Sequence, residues 1–186
     1  MIVPDDHGRH LDSLNPFEYR LAATDSRIPD ALRRELTISQ KRAEAIQRVF
    51  ESSLPEDLKN TLIEATTNRP WYVEQDLRPV AAFANVDGAL VVTANLQVIG
   101  FGAKIVGSTA DSPRVCLFRA KPGMQPVVDS PLESVGGMRH QSAVRFVAAH
   151  RDCVAVVVSQ DGRVSLISWS EELNSVAVVR SAEWWL

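Results

Sequence analysis

Two short runs set charged side chains beside glycines, a combination that can handle an anion. The first is Val86-Asp87-Gly88-Ala89-Leu90-Val91-Val92, a carboxylate at the entry of an apolar, valine-rich run. The glycine next to it removes the side chain that would keep a ligand or another backbone at a distance. A carboxylate so placed can hold a divalent metal or accept a hydroxyl proton. Asp-Gly is also an ordinary turn pair, so this run alone specifies little. The second is Gly136-Gly137-Met138-Arg139-His140-Gln141-Ser142-Ala143. Two glycines leading into a helix leave backbone N–H groups free, with Arg139 and His140 beside them, which suits an anion. Arginine grips phosphate with its fork, and histidine can bond phosphate or ligate a metal. The plain alternative is a glycine turn before a surface helix carrying two solvated polar residues.

The elements that must position these runs follow from hydrophobic periodicity. Residues 1–29 are polar, with Pro4, Pro16 and Pro29 and no clear period, and read as an extended arm or loosely packed start. Residues 30–68 read as helical. Asp30 is the expected N-cap, and Leu32, Leu36, Ala43, Ile46 and Phe50 form an apolar stripe. Pro55 opens a second helix with Leu58, Leu62 and Ile63 on its apolar face. From Pro79 the pattern changes to short valine-rich runs. Residues 80–84, 89–93, 97–100, 114–118, 154–159, 164–169 and 176–179 are the expected strands, with turns at Ala94-Asn95 and Asp161-Gly162. Residues 121–134, with Pro122, Gly123, Pro126 and Pro131, read as a loop. Residues 138–151 read as a helix that buries Ala143, Val144, Val147 and Ala148. The expected fold is α/β: a mixed, twisted sheet flanked by helices, with an N-terminal arm and helices over 1–68 and the site-bearing domain over 69–186.

Composition excludes several classes. The chain has 186 residues, 45% hydrophobic and 23% charged, which is globular rather than disordered. A net charge of −3 with no long basic stretch does not indicate DNA or RNA binding. No apolar run approaches the roughly 20 residues that cross a bilayer, and the first ten residues hold no apolar signal region, so a soluble, cytoplasmic protein without a membrane partner is expected. Cys116 and Cys153 lie in apolar runs and read as buried, reduced thiols. No GxxxxGK[ST] phosphate loop occurs. Gly100-Phe101-Gly102-Ala103-Lys104 lacks the third glycine and the setting of a dinucleotide fingerprint, so its glycines read as bulge or turn positions.

Taken together, Asp87-Gly88-Ala89 opening a strand, Gly137-Met138-Arg139-His140 opening a helix and Val158-Ser159-Gln160 ending a strand occur in an order that resembles the diadenylate cyclase domain of the DisA kind. The resemblance covers residues 79–168. It implies a fold that makes cyclic di-AMP from two ATP molecules, releasing pyrophosphate, with Mg²⁺ or Mn²⁺. It would set Asp87 near the metal and the attacking hydroxyl, Gly88 and Ala89 along the nucleotide, Arg139 and His140 at the phosphates and the metal, and Ser159 in the same pocket, with Gly137, Met138 and Gln141 beside the nucleotide. It also implies a homo-oligomer, since paired domains present one ATP to each other.

The family pattern reads Gly-Thr-Arg-His-Arg where this chain has Gly137-Met138-Arg139-His140-Gln141. A donor hydroxyl and a phosphate-binding cation are both replaced, and glutamine supplies no charge. Three readings follow: an adenine-nucleotide sensor (binding ATP or cyclic di-AMP) with weakened or lost cyclase activity, an active diadenylate cyclase, and an oligomerisation module without ligand. Gln141 and Met138 favour the first, and intact Asp87, Arg139 and His140 the second. Elsewhere, Asp5, Asp6, His7 and His10 read as a mobile terminus rather than a metal cluster, and His150 as a cation at a helix end. Trp71-Tyr72 reads as packing between helices and sheet, with stacking on a base as the alternative, and Trp184-Trp185 as docking on the domain or a partner chain.

Overall fold

Alternation along the valine-rich runs sorts their side chains onto two faces of one sheet, and helices cover parts of both. The computed structural model describes residues 1–5, 14–67, 72–84, 86–105, 113–119 and 127–182. In chain order the elements are β1 (Ile2–Val3), β2 (Leu14–Asp25), α1 (Arg27–Glu51), α2 (Glu56–Thr67), α3 (Tyr72–Phe83), β3 (Ala89–Thr93), β4 (Val98–Ile105), β5 (Val115–Arg119) and β6 (Val127–Ser130). A 3₁₀ turn (Leu132–Val135), α4 (Met138–Ala149), β7 (Val154–Val158), β8 (Val164–Ser170) and β9 (Ser175–Arg180) follow. The strands form one mixed sheet in the order β2-β4-β3-β1-β7-β8-β9-β5-β6.

Val91 and Val3 face one side of this sheet, where they pack with Val144, Val147 and Phe146 of α4 and with Ala155, Ile167 and Val178. Leu90, Val92 and Ile2 face the other side, against Val80 and Phe83 of α3 and Ile28 of α1. The period of two in the strands and of 3.6 in α4 thus meet in one core. Each fully buried valine there contributes roughly 1.5–3 kcal/mol.

Strand directions bring the chemistry-bearing runs to one end of the sheet. β1 is parallel to β3 and antiparallel to β7. β7, β8 and β9 alternate in direction, and β9 is parallel to β5. The amino ends of β3 and β8 therefore lie at the same end as the carboxyl ends of β5, β7 and β9. Carboxyl ends of parallel strands are where open α/β sheets place ligands.

Several expectations are corrected. Residues 80–84 do not form a strand. Val80 to Phe83 end helix α3, in which Val80 is buried and Phe83 half-buried, at helical spacing. A four-residue apolar run fits either period, and Pro79 marks no boundary because it sits inside the helix. The start of the chain is not a loose arm. Ile2–Val3 lies in the middle of the sheet, where the Met1 amino group donates to the Leu90 carbonyl at 2.7 Å, and residues 14–25 pair with β4. Helix α1 begins at Arg27, one residue after Ser26, so Asp30 falls in its first turn, where its carboxylate accepts from the Ser26 hydroxyl at 2.7 Å. Part of the expected 121–134 loop is β6 and the 3₁₀ turn. The hairpin at Asp161-Gly162, the turn at Ala94-Asn95, helix α4 and the buried free cysteines follow the sequence reading. His7, His10, Trp71 and Trp184-Trp185 lie outside the described residues, and the side chain of Tyr72 is likewise not described.

Candidate functional site

Gly88 shows why glycine stands at the head of β3. Its φ is +114°, and a Cβ built there would lie 2.6 Å from the Gly102 carbonyl carbon. The backbone approaching it is therefore that of β4. Gly102 itself has φ +70°, and the β3–β4 register shifts between Ala89 and Val91, which makes this glycine a bulge position. Ala89 pairs with Ala103 directly after it. This packing fixes where the chain turns and presents Asp87 to solvent just before the strand.

Helix α4 presents the second run. Its N-cap is Gly137, whose surroundings leave open space where a Cβ would sit, and its first turn carries no acidic residue. Met138 is 72% exposed. Arg139 points outward, with one guanidinium nitrogen 3.9 Å from an Asp87 carboxylate oxygen. The two runs therefore meet. Their side chains are 69% and 85% exposed, so water screens the pair and it contributes little to stability. Both ends remain accessible to a competing ion.

His140 is the buried member. Its Nε2 lies 3.1 Å from Ser165 Oγ, and Gly136 packs so closely on the ring that a Cβ there would lie 3.1 Å from Nδ1. Burial pushes its pKa below the usual histidine value, the Arg180 charge adds to that shift, and Asp161 opposes it. Gln141 donates from its side-chain amide to the Gly136 carbonyl at 3.1 Å, closing the start of the helix. Ser159 follows β7 inside the β7–β8 hairpin. Its hydroxyl donates to the Asp161 carboxylate and lies 3.0 Å from the Arg163 carbonyl, and its N–H also bonds that carbonyl. The Ser159 hydroxyl is the main cause holding the Asp161 carboxyl below its usual range.

Asp87 and Arg139 are thus side by side in solvent, with Gly137, Met138 and Ala89 in the same two runs. His140, Gln141 and Ser159 have side-chain atoms engaged by the protein. For a divalent metal the arrangement offers Asp87, while Nε2 of His140 is bonded and Nδ1 is packed against Gly136. Among the described residues no group of three or more His, Cys, Asp or Glu side chains gathers to hold a metal. Mg²⁺ and Mn²⁺ commonly take one or two carboxylates together with bound phosphates, so Asp87 is the residue that would share such an ion.

Two residues that sequence reasoning missed join this end of the molecule. Ser165 is buried at an inward position of β8 that shares its parity with fully buried Ile167. A serine in an apolar alternation was the available signal. Arg180 ends β9 and pairs directly with Ser165; no feature of the sequence links the two. Compared with family models, with curated proteins and with solved structures, the chain matches none. No helix among the described residues is long and apolar enough to cross a membrane.

Proposed function

We propose that the chain is an adenine-nucleotide-binding sensor on a diadenylate-cyclase-like plan, with weakened or lost cyclase activity. The observation that carries this reading is the meeting of Asp87 and Arg139, from runs far apart in sequence, 3.9 Å apart at one end of a mixed sheet. An exposed carboxylate beside an exposed guanidinium at an uncapped helix start suits a ligand with an anionic part and hydroxyls. Gln141 and the engaged His140 support binding over turnover, since position 141 supplies no cation beside Arg139 and the His140 ring is already bonded to Ser165. ATP or cyclic di-AMP is the proposed ligand, and a second copy of the chain, facing the exposed Asp87–Arg139 end, the proposed partner. The second reading, an active diadenylate cyclase using Mg²⁺ or Mn²⁺, is favoured by the accessibility of Asp87 and Arg139.

The test is incubation with ATP and Mg²⁺ or Mn²⁺, with detection of cyclic di-AMP and Asp87→Asn as control. The sensor reading expects no product, together with thermal stabilisation by adenine nucleotides. That stabilisation amounts to about 2.7 kcal/mol at a ligand concentration of about a hundred times Kd. Product that disappears in Asp87→Asn establishes the cyclase instead. Neither product nor stabilisation leaves the oligomerisation module.

A further inference from the structure

Ser165 of β8 and Arg180 of β9 are direct antiparallel partners, so their side chains leave the same face of the sheet with Cβ atoms about 5 Å apart. Ser165 Oγ lies 3.1 Å from His140 Nε2, which identifies that face as the one covered by α4. The Arg180 side chain therefore starts beside His140, one residue from Arg139, at the end of the sheet where Asp87 lies.

Arg180 is only partly exposed, and among the described residues no carboxylate or other hydrogen-bond partner meets its guanidinium. Asp161, the carboxylate whose charge reaches His140, is already bound by the Ser159 hydroxyl and by Arg163 at 3.0 Å. Among the described residues nothing fills the place of a counter-ion for this guanidinium, and an anion arriving there could take both ends of its fork. In the first turn of α4 the only guanidinium is that of Arg139, because the Gln141 amide is neutral and tied to the Gly136 carbonyl.

We propose that Arg180 is a second phosphate-binding residue of this site, acting from β9 together with Arg139 from α4, and that the pair selects a di- or triphosphate over a nucleoside. The inference rests on the nucleotide-binding reading for the identity of the whole ligand, but pyrophosphate alone probes its anion-binding part. Two separate forks suit a chain of phosphates, since each can bond a different phosphoryl group, and a nucleoside without phosphates engages neither.

The experiment is calorimetric titration of the wild-type protein, Arg180→Gln and Arg180→Lys with pyrophosphate, ATP and adenosine, after the thermal midpoints of all three proteins have been compared. Expected is a loss of at least about tenfold in pyrophosphate and ATP affinity for Arg180→Gln, corresponding to about 1.4 kcal/mol. Arg180→Lys, which keeps the charge without the fork, is expected to fall between and supplies the comparison if the glutamine variant fails to fold. Adenosine binding is expected to be unchanged in both. Pyrophosphate and ATP bound equally well by all three proteins would overturn the role of Arg180 while leaving nucleotide binding intact. Adenosine affinity falling in parallel with ATP would make Arg180 a structural residue and also overturn the proposal. Pyrophosphate bound through Arg180 with no gain for ATP would keep Arg180 and sink the nucleotide reading. A wild-type protein that binds none of the three sinks both.

Discussion

Gly88 is held where an L side chain is strained twice over, by its φ of +114° and by the Gly102 backbone 2.6 Å from a Cβ. Gly88→Ala is expected to cost about 2 kcal/mol or more, measured by chemical denaturation, and unchanged stability would refute the close backbone approach. His140 gives a second prediction. Burial lowers its pKa, so the folded protein binds fewer protons than the unfolded chain as pH falls. Its contribution is fully present above the unfolded value of about 6.5. It is lost as pH drops from there to the folded value, at about 1.4 kcal/mol for each pH unit between the two. His140→Gln should remove that acid-side loss, so the stability curves of the two proteins should converge below about pH 6.5. Parallel curves would mean that the imidazole is not held neutral. At Gln141 the expectation concerns binding: Gln141→Arg adds a cation beside Arg139 and should tighten ATP, read as a lower Kd. Asp87, Arg139 and Gln141 could be singled out in the sequence because each sits in a run whose local chemistry is visible. The Ser165–His140–Arg180 grouping was not, because it exists only once β8 and β9 are in register.

Adjacent residues of a strand test whether a face is covered. Ile167 is fully buried against α4, whereas Leu166, its neighbour, is 39% exposed on the opposite face together with Val156 and Val158. Ile167→Ala should cost about 2–5 kcal/mol, and Leu166→Ala about 1 kcal/mol or less, in urea unfolding. Similar costs would mean that something packs on the outer face. Neither strand shows this parity in its sequence: β7 is apolar throughout, and in β8 Ser165 is buried while Leu166 is exposed. In α1 the expected stripe holds only at Ile46. Leu32, Leu36, Ala43 and Phe50 are exposed, while Ala31 is buried and Glu35, Ile38, Arg42, Ile46 and Val49 are half-buried. The helix carries two interleaved apolar rows. The inward row includes Glu35 and Arg42, whose side chains lie 3.8 Å apart, and these charges hide its periodicity in the sequence. In α3, likewise, a short apolar run could not declare its period, and packing of Val80 against Val92 and Val98 decided for helix.

Across the whole molecule, the fold class was legible because alternation, helical stripes and turn pairs are local signals. The strand order was not, since the place of Ile2–Val3 between β3 and β7 depends on contacts distant in sequence. That topology divides stability unevenly. The sheet and α4 share a continuous core that includes Val144, Val147, Ile167, Val176 and Val178, each fully buried. Helix α1 buries only Ala31 among its described residues and α2 buries none, and a helix of twelve residues has little stability of its own. Opening α1 and α2 therefore exposes little apolar surface, whereas opening β8 or α4 breaches the main core. Native-state hydrogen exchange should show amides of α4, β8 and β9 exchanging only through global unfolding, and those of α2 through a local opening at a fraction of that free energy. A nucleotide bound at Asp87 and Arg139 stabilises the native state as a whole, so it should raise protection in α4 and β8 and leave the local opening of α2 unchanged. Protection in α2 equal to that of α4 in the free protein would show that the helical pair is held by packing beyond the contacts described. A ligand-induced rise confined to α2 would place the binding event away from the Asp87–Arg139 end.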